Sequence, residues 1–177
     1  MQPNILILGL GNLLLQDEGL GVRALELLQD RYDLPQEVQC VDGGVLGLEL
    51  LAYVEGVTHL LTIDAVQNGL PPGTLVRLEG EEIPKNLDIK LSMHQVSFSN
   101  ILALSLLRGT DPPRLVIWGL VPAVMETGVG LSDSVEALLG NLVEAVVGEL
   151  QQWGIAASPR PTTESLSAIE QMIKRGS

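Results

Sequence analysis

The sequence predicts an α/β fold built on a mostly parallel sheet. Short apolar runs that stop at glycine or aspartate, such as residues 4–9 (NILILG) and 114–119 (RLVIWG), have the look of strands buried on both faces. Segments of helical period lie between these runs, and that alternation implies right-handed βαβ units. The 177 residues suit one domain, and 46% hydrophobic against 18% charged residues fits a globular chain with a core of its own.

The first strand, 4–9, is followed by a loop and then a helix over 19–32, where Leu20, Ala24, Leu27 and Leu28 recur at helical spacing. A second strand is expected over 37–41, closed by Asp42-Gly43-Gly44, and a helix over 46–54. The third strand, 59–63 (HLLTI), ends at Asp64. The turn cluster 68–73 (NGLPPG) changes the pattern: residues 74–79 (TLVRLE) then alternate in polarity, as an edge strand of either direction, parallel or antiparallel, would. A helix is expected over 95–107, and 114–119 is the next buried strand. One long helix is expected over 133–153, with Val135, Leu138, Leu139, Leu142, Val143, Val146 and Leu150 on one stripe and Ser132 as its cap. The domain is expected to span 1–154. Residues 155–177 are expected as linker and tail, with 158–163 (SPRPTT) the linker and a short helix near 165–175.

The charge balance narrows function. Twenty-two acidic and ten basic residues give −12, and the basic residues are scattered. Nucleic acid and anionic membrane both require clustered Lys and Arg, so neither is an expected partner. A single cysteine, Cys40, excludes an internal disulfide and any multi-cysteine metal site, and suits a reducing, cytoplasmic setting. The first residues lack the basic region of a signal peptide, and 91–107 is too polar for a membrane span.

Ligands of open parallel sheets bind beyond the carboxyl ends of the strands. The candidate site residues fall into five sets. Gly9-Leu10-Gly11-Asn12 follows the first strand, but Leu14 stands where a dinucleotide fingerprint needs its third glycine. Asp17 and Glu18 open the next helix and would repel a pyrophosphate. An N-cap role for one of them is compatible with the other pointing into the cleft. Asp64 ends the third strand, where an unpaired carboxylate is costly to bury, so it needs a partner or a cation. Gly43 and Gly44, after Asp42, allow close backbone approach. His94, before a helix, joins two carboxylates in a mixed nitrogen/oxygen set that borderline divalent ions accept. His59 and Cys40 are expected to be structural. No G-x-S-x-G and no H-E-x-x-H is present.

Taken in order, these strings resemble the hydrogenase maturation endopeptidases, which process the large subunit of nickel–iron hydrogenases. Gly9-Leu10-Gly11-Asn12-Leu13-Leu14 with Asp17-Glu18-Gly19 and Gly21-Val22-Arg23 resembles the family's first motif. Asp42-Gly43-Gly44 with Gly47, Asp64-Ala65, Ser92 with His94-Gln95, and Gly119, Pro122, Gly130, Leu131, Ser132 resemble those that follow. Peptidyl-tRNA hydrolases share the opening string, but continue with a Pro-Gly that this chain lacks.

The resemblance implies a three-layer α/β sandwich with a five-stranded sheet. It also implies metal contacts by Glu18, Asp64 and His94. The expected partner is a hydrogenase large-subunit precursor that already carries nickel, so the nickel arrives with the substrate. The expected reaction is removal of a C-terminal extension, by an aspartic-type or a metal-assisted route. Asp17 and Asp42 are the candidate general bases, and nickel either tethers the precursor or also polarises the scissile carbonyl. A monomer is expected, because the precursor must reach an open cleft. The rival readings are a non-catalytic metal-centre binding or chaperone module and a nucleotide-binding domain; NAD or ATP would raise the melting temperature only for the latter.

Overall fold

The computed structural model describes residues 4–44, 46–83 and 98–161. Ser92, His94, Gln95 and the expected tail helix lie outside the described residues. Five strands form one sheet in the order β3-β1-β4-β6-β5. They are β1 (Ile5–Leu10), β3 (Val38–Gly44), β4 (His59–Ala65), β5 (Leu75–Glu79) and β6 (Arg114–Leu120). Four run parallel, while β5 pairs antiparallel with β6 at one edge. The α/β class and the mostly parallel five-stranded sheet are therefore as expected, and the edge strand, whose direction the sequence left open, is antiparallel.

Side chains alternate across β1 and split the core into two layers. Ile5 and Ile7 join Leu61 and Ile63 under helices α1 (Leu20–Arg31) and α5 (Leu139–Gln152). Leu6, Leu8 and Leu10 join Leu60 on the other face, under α2 (Leu50–Val54) and α3 (Phe98–Arg108). All six residues of β1 are buried. That explains why its sequence is a continuous apolar run with no polar alternation.

Three expected elements come out differently. The helix expected over 133–153 is two pieces, α4 (Asp133–Glu136) and α5, because the chain turns at Ala137 and Leu138. Val135 before the break and Leu142 after it are both fully buried in the core. Ser132 occupies the cap position of α4, but its side chain makes no cap bond. Residues 158–163 do not act as a free linker where they are described. β7 (Ser158–Pro159) pairs antiparallel with β2 (Tyr32–Asp33), Arg160 bonds Asp33 Oδ1 at 2.7 Å, and Ile155 is buried in the α1/α5 core.

At the amino ends of β4 and β6, Glu149 of α5 is buried with both oxygens engaged. Arg77 donates to them at 2.8 and 3.0 Å, Trp118 Nε1 at 3.2 Å and Trp153 Nε1 at 3.1 Å. Burial alone would raise the carboxyl's pKa; the Arg77 bonds, then Trp118 and Trp153, outweigh it and hold it below the ordinary value. This cluster fastens α5 to the antiparallel edge. Trp153 also lies under Arg114 and against the ring of His59, which gives His59 a packing role.

Candidate functional site

Three glycines draw the strand ends together. Gly9 is at the end of β1, and a Cβ there would lie 2.6 Å from the carbonyl oxygen of Gly21 in α1. Gly11 has φ +121°, and the space its side chain would fill is taken by the carbonyl of Glu18. Gly21 in turn has the carbonyl oxygens of Ile63 and Leu10 where its Cβ would be. Glu18 is therefore held by backbone contact against the end of β1, and its helix against the residue that precedes Asp64. On the other side, the Gly11 N–H donates to the Gly44 carbonyl at 3.4 Å. The ends of β3, β1 and β4 thus meet around one short stretch, residues 11–21. The missing third glycine of the dinucleotide fingerprint has a substitute, Gly21, which supplies close helix–sheet packing without a phosphate-binding turn.

A helical glycine replaced by alanine ordinarily gains about 0.5–1 kcal/mol. Gly148 in α5, with open space around it, should follow that rule. Gly21→Ala should instead lose about 3 kcal/mol, because its Cβ meets rigid backbone. Denaturant melts of the two variants should shift in opposite directions; shifts of the same sign would contradict the packing described.

Asp17 is fully buried in a single 3-10 turn, Gln16–Gly19. It caps neither that turn nor α1, whose cap residue is Gly19. Its carboxylate reaches across the molecule instead. Ser132 N–H donates to Oδ1 at 2.7 Å; Ala123 N–H, Val124 N–H and the Ser132 hydroxyl donate to Oδ2 at 2.8, 2.9 and 2.8 Å. This is where the Ser132 hydroxyl goes in place of a helix cap. Burial alone would raise the Asp17 pKa, but the bonds from Ser132, Val124 and Ala123 outweigh it and keep the group below its ordinary value. Backbone bonds reinforce the clamp: Asp17 N–H to Val124 O at 3.1 Å, Gln16 N–H to Gly128 O at 3.2 Å and Gly128 N–H to Leu14 O at 2.9 Å. Gln16, at φ +49°, is the one non-glycine residue in the left-handed region among the described residues. Asp17 therefore fixes the loop that carries Glu18 onto the 123–132 loop.

The other expected site residues fall as follows. Glu18 is half-buried at the end of the 3-10 turn. Asp64 is half-buried in the last turn of pleat of β4, next to its final residue, and accepts the Ala65 N–H at 2.8 Å. The missing Cβ of Gly119 makes room for the Asp64 carbonyl. Asp42 is exposed and lies within β3, followed by buried Gly43, whose Cβ would lie 2.6 Å from Leu10 Cδ2. Gly44 has φ +29°. Cys40 is a core thiol pushed by burial up to about 11, unsuited to attack at neutral pH. Among the described residues no three His, Cys, Asp or Glu side chains are grouped to hold a metal ion. His94, the third member of the expected set, lies outside them. The 123–132 loop is the part of the site that sequence reasoning left without a role, though Gly130, Leu131 and Ser132 were visible as a motif.

Comparison with known proteins identifies the family. The hydrogenase maturation protease family matches residues 22–149. The hydrogenase 2 maturation protease of Escherichia coli is 40% identical over 157 residues, covering 88% of this chain and 96% of that protein. The hydrogenase expression/formation protein HupM of Azotobacter chroococcum is 42% identical over 160 residues, 89% of this chain and 77% of that one. Among solved structures, the hydrogenase maturating endopeptidase HybD from E. coli superposes with a TM-score of 0.83 at 39% identity, covering 88% of this chain and 97% of that one. A hydrogenase 2 maturation peptidase from a Thaumarchaeota archaeon gives 0.65 at 28% identity, covering 83% and 97%. With the glycine-drawn strand ends, the Asp17 clamp and these matches in hand, the chain belongs to the hydrogenase maturation protease family.

Proposed function

We propose that this protein removes the C-terminal extension from the nickel-loaded large-subunit precursor of a nickel–iron hydrogenase, and that Glu18, Asp64 and His94 meet the substrate's nickel. The observation that carries the reading is the convergence of the Glu18 turn and the end of β4 through Gly11 and Gly21. Two carboxylates and one imidazole suit a borderline divalent ion, and three protein ligands leave room for the precursor's own cysteines. A protein that meets a metal already held by thiolates needs few soft ligands itself, which fits a chain with two histidines and one cysteine.

Asp42 is the carboxylate we assign as general base. It is exposed at the end of β3, beside the same short stretch of chain, with no donor fixing its oxygens among the bonds described. Asp17 is the weaker candidate. Both its oxygens are already occupied and its proton affinity is depressed, so we assign it the clamp and not proton transfer. The setting proposed is the cytoplasm, where the precursor would be met before assembly. Mixing the protein with precursor and weighing the large subunit by mass spectrometry tests hydrolysis. A product shortened at its C-terminus is expected; an unchanged mass with stable binding would make the protein a chaperone-like module instead.

A further inference from the structure

The two edges of the sheet are not alike. β5 carries Arg77 and Glu79, which pair with each other at 2.9 Å and put charge along that edge. β3, the opposite edge, reads Val-Gln-Cys-Val-Asp-Gly-Gly, with no lysine and no proline to blunt it. Edge strands left unguarded in this way are templates for another strand.

The ladder shows which backbone groups are on offer. The Ile5 N–H donates to the Glu37 carbonyl at 3.1 Å, and Ile5 is aligned with Val38. Peptide groups alternate along a strand, so those of Gln39 and Val41 also face β1, whereas those of Val38, Cys40 and Asp42 face away from it. The Val38 N–H is taken by the Pro35 carbonyl at 3.0 Å. The N–H and C=O groups of Cys40 and Asp42 point outward, and β3 pairs only with β1 among the described residues. The edge leads to Asp42, beyond which the register with β1 shifts by one residue at Gly43, and so to the stretch that holds Glu18.

Building on the peptidase reading, we propose that the segment of the precursor spanning the scissile bond binds as an added strand along the outer edge of β3. The occupant is an extended polypeptide because the edge offers main-chain donors and acceptors at strand spacing and no charged pocket other than Asp42. Main-chain pairing would fix the bond's position relative to Asp42 while tolerating varied side chains in the substrate. This separates two tasks: the Glu18–Asp64–His94 set reads the substrate's metal, and β3 aligns its chain.

Residue-resolved amide exchange tests this, with the intact protein alone, with nickel-loaded precursor, and with the mature large subunit lacking the extension. Labelling pulses shorter than turnover are used, and cleavage in the same sample is followed by mass. The amides of Cys40 and Asp42 should slow at least about tenfold with precursor only. Those of Gln39 and Val41, already bonded to β1, serve as internal controls and should barely change. Cleavage without slowing at Cys40 and Asp42 overturns the proposal while leaving the peptidase reading intact. Equal slowing by the mature subunit also overturns it, because the occupant would then not be the segment across the scissile bond. Slowing by precursor without cleavage supports the edge and overturns the peptidase reading.

Discussion

Asp17→Ala should lower stability by about 3–5 kcal/mol, since it strands three backbone N–H groups and a hydroxyl, each worth about 1–3 kcal/mol when left unmet. For a chain of this length that corresponds to a fall of roughly 6–20 °C in Tm. The same clamp predicts a pH signature. The folded-state pKa of Asp17 is lowered, so its stabilisation is complete above the unfolded value of about 3.9 and is lost as pH falls through the folded value. Glu149 acts in the same direction through Arg77 and the two tryptophans. Stability should therefore decline below about pH 4 in the parent protein, and more gently in Asp17→Asn, which starts lower but has one titrating group fewer. Denaturant melts at a series of acid pH values check this. Parallel acid profiles for parent and variant would mean that Asp17 is not held as described.

Substitutions in the proposed nickel-meeting set should behave in the opposite way. Glu18→Gln, Asp64→Asn and His94→Ala should each reduce processing of the precursor at least about 100-fold, given that even outer-sphere partners of a metal site cost 10–100-fold. Their melting temperatures should stay near the parent's, as neither Glu18 nor Asp64 is fully buried. Processing rates and thermal melts measured on the same preparations decide the matter. A variant that melts early and still cleaves would have lost a structural residue and not a ligand.

The strands and their mostly parallel arrangement were legible because their signals are local, whereas the order of the strands in the sheet was not read from the sequence. An apolar run such as NILILG has few alternatives to a doubly buried strand, and the alternation in TLVRLE marks an edge. The positions of Glu18 and Asp64 followed from the rule for strand ends. The Asp17 clamp was not legible, because its four donors lie 106–115 residues away and an acidic residue before a helix resembles a cap from sequence alone. Ser132 misled for the complementary reason: it stands at the cap position, but its hydroxyl serves the clamp. The break at Ala137–Leu138 leaves the apolar stripe unbroken, so periodicity could not reveal it. The pairing of Ser158–Pro159 with Tyr32–Asp33 is likewise long-range, and a proline-rich stretch carries no sign of it.

If the protein reads its substrate's metal before cutting, nickel loading decides whether a precursor is cleaved. Nickel-loaded and nickel-free forms of the same large-subunit precursor are incubated with the protein, and the release of the C-terminal extension is followed by mass. Processing of the loaded form is expected, with little or none of the nickel-free form. Equal cleavage of both would contradict it.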